Sequence, residues 1–517
     1  PFPLGAAGLQ DPADLPNMYD CCNERRAGNA PRQISGAGTP GDDSHKDVAV
    51  IEALIGEQWL ADPRLRQARE LLHESRADYQ RRIDGVRPPL RGTRADYLKA
   101  IEKFGEMRGG KLFFDYLGSG LGHGPLVELG DGSVKYDMIT GIGVHGLGHG
   151  HPALLDASFD AAIRNTVMQG NLQQNRESVA LTKLLLDTVN QGGANFAHCF
   201  LTTSGAMANE NALKMIFQKH NPAARLIAFE RCFSGRTTTL SQITDKPAYR
   251  EGLPSTIDVD YVPFFDADHP AQSTRRAVDV LQNHLARHRQ QHAAMCFELV
   301  LGEGGYYPGD HDFFAALMRQ CRQHGLAVFI DEVQTFGRTT QPLAFQHFGL
   351  DEFVDVVTVG KITQVCATLF KDSYCPQPGL VSQTFTGATS SIFAATAVLR
   401  ELIDGDYFGA DGRIAAIHRR FVGHLASIAQ RHPERVAGPF GIGGMIAFTP
   451  FGGAAKKANL LVHALFDAGV IAFITGGSPT RLRLLPPIAA ISDEQIDRVM
   501  AIMERVVVEL DIEERQS

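Results

Sequence analysis

What the 517 residues hold little of narrows the function first. Tryptophan occurs once, and apolar runs such as AVFIDEV and MCFELVLG are far shorter than the stretch a helix needs to cross a bilayer. Positive charge is not in excess. Fifty Lys and Arg stand against 58 Asp and Glu, a net charge of −8, which argues against nucleic acid or an anionic membrane as the main partner. The eight cysteines form no CxxC pair and no metal-ligand spacing. Cys21 and Cys22 are adjacent, whereas Cys199, Cys232, Cys296, Cys321 and Cys366 lie in or beside apolar segments, as small core residues of a reducing compartment do. His149 and His151, in GLGHGHP, have no carboxylate or cysteine at matching spacing, so turn and capping roles are expected and no metal site. The opening PFPLGAAGLQDPADLPNMYDCC has neither the basic nor the apolar part of a secretory signal, and a cytoplasmic location is expected.

What is present reads as a soluble globular chain, 44% hydrophobic and 21% charged, long enough for more than one domain. The first forty-odd residues, rich in Gly, Pro, Asp and Asn, predict a weakly ordered arm. From Lys46 to about Arg82, Val50, Leu54, Trp59, Leu65, Ala68, Leu71 and Leu72 recur at helical spacing and predict an amphipathic hairpin. LVELGDGSVKYDM alternates as strand, turn and strand around Gly130-Asp131-Gly132. Between Pro152 and Lys361, helical patterns alternate with the short runs FAHCFLTT, RLIAFE, AMCFELVLG, LAVFIDEV and VDVVTVG. That alternation predicts an α/β fold with a largely parallel, buried sheet. Past Thr389 come the helix SSIFAATAVLRELIDGD and the runs GGMIAFTP and RLRLLPPI, a smaller α+β region.

In α/β sheets ligands gather outside the carboxyl ends of the strands, and three of those ends here carry chemistry. LTTSGAMANENALKMIF turns from strand to helix at Ser204-Gly205-Ala206, which is either a plain serine N-cap or a phosphate cradle of free N–H groups. LAVFIDEV ends in Asp331-Glu332, a solvated end or a buried carboxylate awaiting a cation. In VVTVGKITQVCATLF the single charge, Lys361, either snorkels to water or is held dry and reactive. Together they form a set that pyridoxal phosphate requires: an anion site, a carboxylate for its ring nitrogen and a lysine for a Schiff base.

On the motifs GIGVHGLGHGHP, SGAMANENALK, FSGRT, GEGG, IDEVQTFGRT, VGK and RLLPPI, in this order, the chain resembles the class III (ω-type) aminotransferases. The resemblance implies a fold-type I pyridoxal phosphate enzyme with a mainly parallel seven-stranded sheet. It divides the chain into an extension (1–95), an N-terminal segment of the small domain (96–155), a large cofactor-binding domain (156–390) and a C-terminal small domain (391–517). It further implies that Ser204, Gly205 and Ala206 hold the phosphate, Phe233 stacks on the ring, Asp331 pairs with the ring nitrogen, and Gln334 reaches the phenolic oxygen. Lys361 forms the Schiff base, and Thr384, in SQTFTG, reaches the neighbouring subunit's phosphate, making a homodimer with shared sites. Arg483 and Arg236 bind substrate carboxylates, Glu303 masks Arg483, and Ile142 stands where ornithine aminotransferases carry tyrosine.

Met207, Ser234 and Thr386-Gly387-Ala388 depart from the usual family text, and KITQVC is similar to the lysine 6-aminotransferases. The resemblance therefore implies transfer of the terminal amine of an ω-amino or diamino acid, lysine-like by preference, to 2-oxoglutarate. An acetylornithine or 4-aminobutyrate type, and an aminomutase or epimerase on the same scaffold, are the alternatives.

Overall fold

The computed structural model describes residues 54–165, 168–170 and 172–510. The predicted arm, Cys21-Cys22 and the start of the predicted hairpin lie outside the described residues. The described chain opens with a short helix, Ile55–Leu60, and continues into α1, Pro63–Gln80. The Asp62 side chain caps α1 by accepting from Arg64 N–H, and proline occupies its first turn, where no N–H is needed. The helix forms as its spacing predicts, but none of its residues is buried, and Leu71 is 58% exposed. Polar ties seat it instead: His73 on Asp156 at 2.8 Å, Arg69 on Asp160 at 2.5 Å, and Gln80 donating to Gly122 O at 2.7 Å.

Strands β1 (Gly118–His123), β2 (Leu126–Leu129) and β3 (Val134–Asp137) form a meander whose second turn is the predicted Gly130-Asp131-Gly132. Next come β4 (His198–Thr202), α2 (Gly205–His220), β5 (Arg225–Phe229), β6 (Asp258–Val262) and β7 (His292–Phe297). β8 (Ala327–Glu332), β9 (Val356–Val359) and β10 (Cys366–Phe370) complete a seven-stranded sheet in the order β4-β10-β9-β8-β7-β5-β6. Parallel pairings run from β9 to β6, while β10 lies antiparallel to both neighbours.

β7, β9 and β10 are buried along their whole length, which is why their text is apolar without alternation. Each fully buried Val, Ile or Phe contributes roughly 1.5–3 kcal/mol. Crossover helices cover the faces. In the helix His311–His324, Asp310 caps the first turn, and Gly325 ends the last at φ 72°, a left-handed stop that glycine adopts without strain.

The C-terminal part adds β11 (Val436–Ile442), β12 (Met445–Pro450), β13 (Val470–Ile471), β14 (Phe473–Thr475) and β15 (Arg481–Leu484). β13 pairs in parallel with β3, so the segment before the large sheet and the end of the chain share one sheet. β15 runs between β12 and β14, with Arg483 facing Ala447 and Phe473 in register.

Candidate active site

Because β4, β5, β7, β8 and β9 all point the same way, the residues that follow them converge on one edge of the sheet. There they enclose a cavity of about 320 Å³. Gly205 and Ala206 line it from the start of α2, and Phe233 and Arg236 from the loop after β5. Glu303 reaches it beyond β7, Asp331 and Gln334 from the end of β8, and Lys361 from the end of β9.

Ser204, Thr384, Arg483 and Ile142 do not line the cavity. The Ser204 hydroxyl caps α2, accepting from Met207 N–H at 3.2 Å, so the plain cap reading holds for its acceptor side. Arg483 stands one layer back, its Nη1 donating to Glu303 Oε1 at 2.6 Å. Ile142 packs against an apolar cluster that includes Val300, Tyr306 and Leu485. Thr384 lies on an exposed loop beside Phe385, which is 46% exposed.

Lys361 sits just past β9 in left-handed backbone, φ 54°, an uncommon conformation for a side-chain-bearing residue and one that clusters at functional sites. Its predecessor, Gly360, has no room for a side chain: a Cβ there would stand 2.8 Å from Cys366 Sγ and 3.2 Å from Val333 Cγ1. Burial pushes the Lys361 ammonium below the usual lysine range, assisted by Arg483 and opposed by Glu303, Asp331 and Glu298. Burial also raises the Asp331 carboxyl, against N–H donation from Val333 at 2.9 Å, Asn209 Nδ2 at 2.7 Å and the Lys361 charge.

Two residues that sequence reasoning passed over complete the setting. Asn209 donates to both Asp331 Oδ2 and Ser234 O, and accepts from Thr358 Oγ1 at 2.7 Å. It lies four residues into α2 from Gly205, one helical turn, and that spacing was the available signal. Glu298 follows β7 directly, the same strand-end position that drew attention to Asp331. Its two oxygens accept from Gly302 N–H at 2.8 Å and Phe233 N–H at 3.0 Å. Burial and the neighbouring Asp331 push its carboxyl up to about 8.

The Aminotransferase class-III family model matches residues 120–507. The chain belongs to the class III aminotransferases. Among its relatives, an acetylornithine aminotransferase of Corynebacterium efficiens is 31% identical over 396 residues, 74% of this chain and 90% of that protein. A [LysW]-aminoadipate semialdehyde transaminase of Deinococcus radiodurans is 29% identical, covering 75% of this chain and 85% of that one. A lysine aminotransferase from M. tuberculosis shares the fold, with a TM-score of 0.68 at 23% identity, covering 78% of this chain and 98% of that one.

Class III aminotransferases of this kind use pyridoxal phosphate, with a small-molecule amino donor and an oxo acid acceptor. The cavity fits that cofactor. Helix N-terminal N–H groups of Gly205 and Ala206 suit a phosphate, and a Cβ on Gly205 would stand 2.6 Å from Val333. Asp331 faces the same space, and the buried Gln334 amide oxygen has no partner among the described residues.

Proposed function

We propose that this aminotransferase moves the terminal amino group of an ω-amino or diamino acid, lysine-like by preference, to 2-oxoglutarate. The observation that carries the reading is the Glu303–Arg483 pair. Arg483 is fully buried, holds Glu303 through Nη1, and its Nε and Nη2 have no hydrogen-bond partner among the described residues. With Glu303 in place, Arg483 is masked and a donor enters amine first. With Glu303 turned aside, the guanidinium forks onto a 2-oxo acid carboxylate. One site thereby serves two substrates.

Bound pyridoxal phosphate supplies an electron sink that lets a proton leave the amine-bearing carbon. The chain's own groups do the rest. The N–H groups of Gly205 and Ala206 would hold the phosphate, with the Ser204 hydroxyl proton beside them. Asp331 would keep a proton on the ring nitrogen, the Gln334 amide would meet the phenolic oxygen, and Phe233 would cover the ring. Lys361 Nζ would be the group that takes the proton from the substrate carbon and gives it back. Its lowered proton affinity favours the neutral amine that this task needs. Arg236, held over the Tyr249 ring at 4.5 Å, meets the donor's far carboxylate.

Thr384 is exposed and away from this chain's own cavity, as a residue serving a partner subunit's phosphate would be, so we read the enzyme as a homodimer with shared sites. We place it in the cytoplasm, where the buried thiols of Cys232, Cys296, Cys321 and Cys366 stay reduced. The acetylornithine aminotransferase and [LysW]-aminoadipate semialdehyde transaminase relatives support a second reading, an N-acylated or carrier-held donor.

The test is a donor screen with 2-oxoglutarate, following glutamate formation, in the wild type and in Lys361→Ala. Transfer from lysine that Lys361→Ala abolishes, together with its visible absorbance band, supports the reading. Racemisation of an amino acid without glutamate formation would favour an epimerase instead.

A further inference from the structure

We propose that Arg338 is a positioning residue for the substrate site, stapling a left-handed turn at residues 140–143 to the segment that follows Arg483. The inference rests on the reading that Ile142 and Arg483 serve the substrate. Four consecutive residues, Thr140, Gly141, Ile142 and Gly143, have φ of 50°, 65°, 62° and 85°. Left-handed backbone is strained for threonine and isoleucine, both β-branched, and it persists only where the surroundings over-determine it.

The surroundings do so from three sides. Asp137 Oδ1 accepts from Ile139 and Thr140 N–H at 3.1 and 2.7 Å. Thr140 Oγ1 donates to Leu485 O at 2.8 Å, and Leu485 N–H to Met138 O at 2.7 Å. Arg338 then donates from Nη2 to Gly143 O and from Nη1 to Pro486 O, both at 2.9 Å. Leu485 and Pro486 are the second and third residues after Arg483. One guanidinium therefore spans the turn that carries Ile142 and the strand end that aims Arg483.

Arg338 is 1% exposed, and no carboxylate of the described residues lies within 4.0 Å of it. Burial lowers it to about 10, so it remains a cation at neutral pH, and its side-chain hydrogen bonds among the described residues go to carbonyls. Glycine makes space around it: a Cβ on Gly143 would stand 3.3 Å from Nη2, and one on Gly443 would stand 1.9 Å from Arg338 O. Arg338 also lies in the loop that follows β8, the strand whose end holds Asp331, and that loop carries Gln334. It thus links the cofactor side of the cavity to both substrate-side segments, a task for a rigid two-armed fork that a lysine cannot match.

The experiment compares holoenzymes carrying Arg338→Met, Arg338→Lys and Thr140→Val with the wild type. In Arg338→Met, the KM for 2-oxoglutarate should rise about tenfold or more while kcat and the bound-cofactor absorbance stay within about threefold. Arg338→Lys should show a smaller rise. Thr140→Val, which removes the parallel tie to Leu485, should raise the same KM. An unchanged KM in the Arg338→Lys and Thr140→Val enzymes overturns the proposal, as does a parallel fall of kcat, cofactor absorbance and Tm in all variants. If Arg338→Met does not fold, these other two variants decide. A wild type that transfers no amine to any 2-oxo acid would sink the functional reading instead. The staple is then judged by amide exchange: joint acceleration across residues 139–146 and 484–487 in Arg338→Lys upholds it, and unchanged exchange overturns it.

Discussion

Arg483 and Glu303 meet at 2.6 Å, a fully buried guanidinium against a carboxylate that is 30% exposed on the cavity side. Their mobilities are therefore unequal. Glu303, the member with open space beside it, is the one expected to turn, and a substrate carboxylate must then replace it so that the buried guanidinium is not left uncompensated. The Glu303 carboxyl is held below the usual range: burial would raise it, but Arg483 outweighs burial, with Lys361 and Arg236 assisting.

Glu303→Gln is expected to lower kcat/KM for an ω-amino donor by about 10- to 100-fold, a loss of about 1.4–2.7 kcal/mol of transition-state stabilisation. The 2-oxoglutarate KM should stay level or fall, because Arg483 is no longer masked. Steady-state kinetics with both substrates checks this. Equal losses on both sides would rule out a switch.

Asn209→Ala removes one of the two hydrogen bonds that Asp331 accepts from the described residues. The ionised carboxylate becomes less favourable, and its hold on a protonated ring nitrogen weakens. Cofactor affinity should fall by about tenfold, or about 1.4 kcal/mol, read from an absorbance titration of the apoenzyme with pyridoxal phosphate. An unaltered affinity would mean that Val333 N–H and the Lys361 charge suffice to keep Asp331 ionised.

Glu298 gives a pH-dependent prediction. Its folded pKa, about 8, lies above the ordinary glutamate value of 4.5, so the folded protein binds a proton that the unfolded chain has released. The stability this provides is complete below about pH 4.5 and is lost as pH rises to about 8. Glu332, raised by burial to about 7, acts in the same direction. Glu298→Gln should lower Tm most at pH 5, with the gap to the wild type narrowing by pH 9. A gap that widened with pH would refute the assignment.

Shared sites predict complementation. Lys361→Ala and Thr384→Ala enzymes are each expected to be impaired. A refolded equal mixture should recover up to about a quarter of wild-type activity, since half the dimers are mixed and each of those has one intact site. If activity stays at the level of the parents, Thr384 does not serve a partner.

Most of the large sheet, and the site built on its edge, can be read from the order of residues alone. Strands buried on both faces must be short and apolar, and a charged or glycine-bearing residue directly after such a strand has only the sheet edge to occupy. Asp331, Lys361 and the Gly205 loop were legible for that reason. The strands Asp258–Val262 and Cys366–Phe370 were not: acidic residues alternate through the first, and the second read only as the surroundings of the lysine.

Which polar groups are paired is settled by the folded chain and by nothing short of it. Asn209 and Glu298 sit in text that reads as helix and strand, and they acquire their roles from Asp331 and from backbone N–H groups distant in the chain. Arg338 likewise finds no carboxylate among the described residues and instead bridges carbonyls 195 and 148 residues away. The exposed face of α1 is a further case, since helical spacing fixes which side chains share a face but not what covers it. Local sequence sets periodicity and strand ends. Burial of a charge is settled by its desolvation cost against partners that only the folded chain brings near.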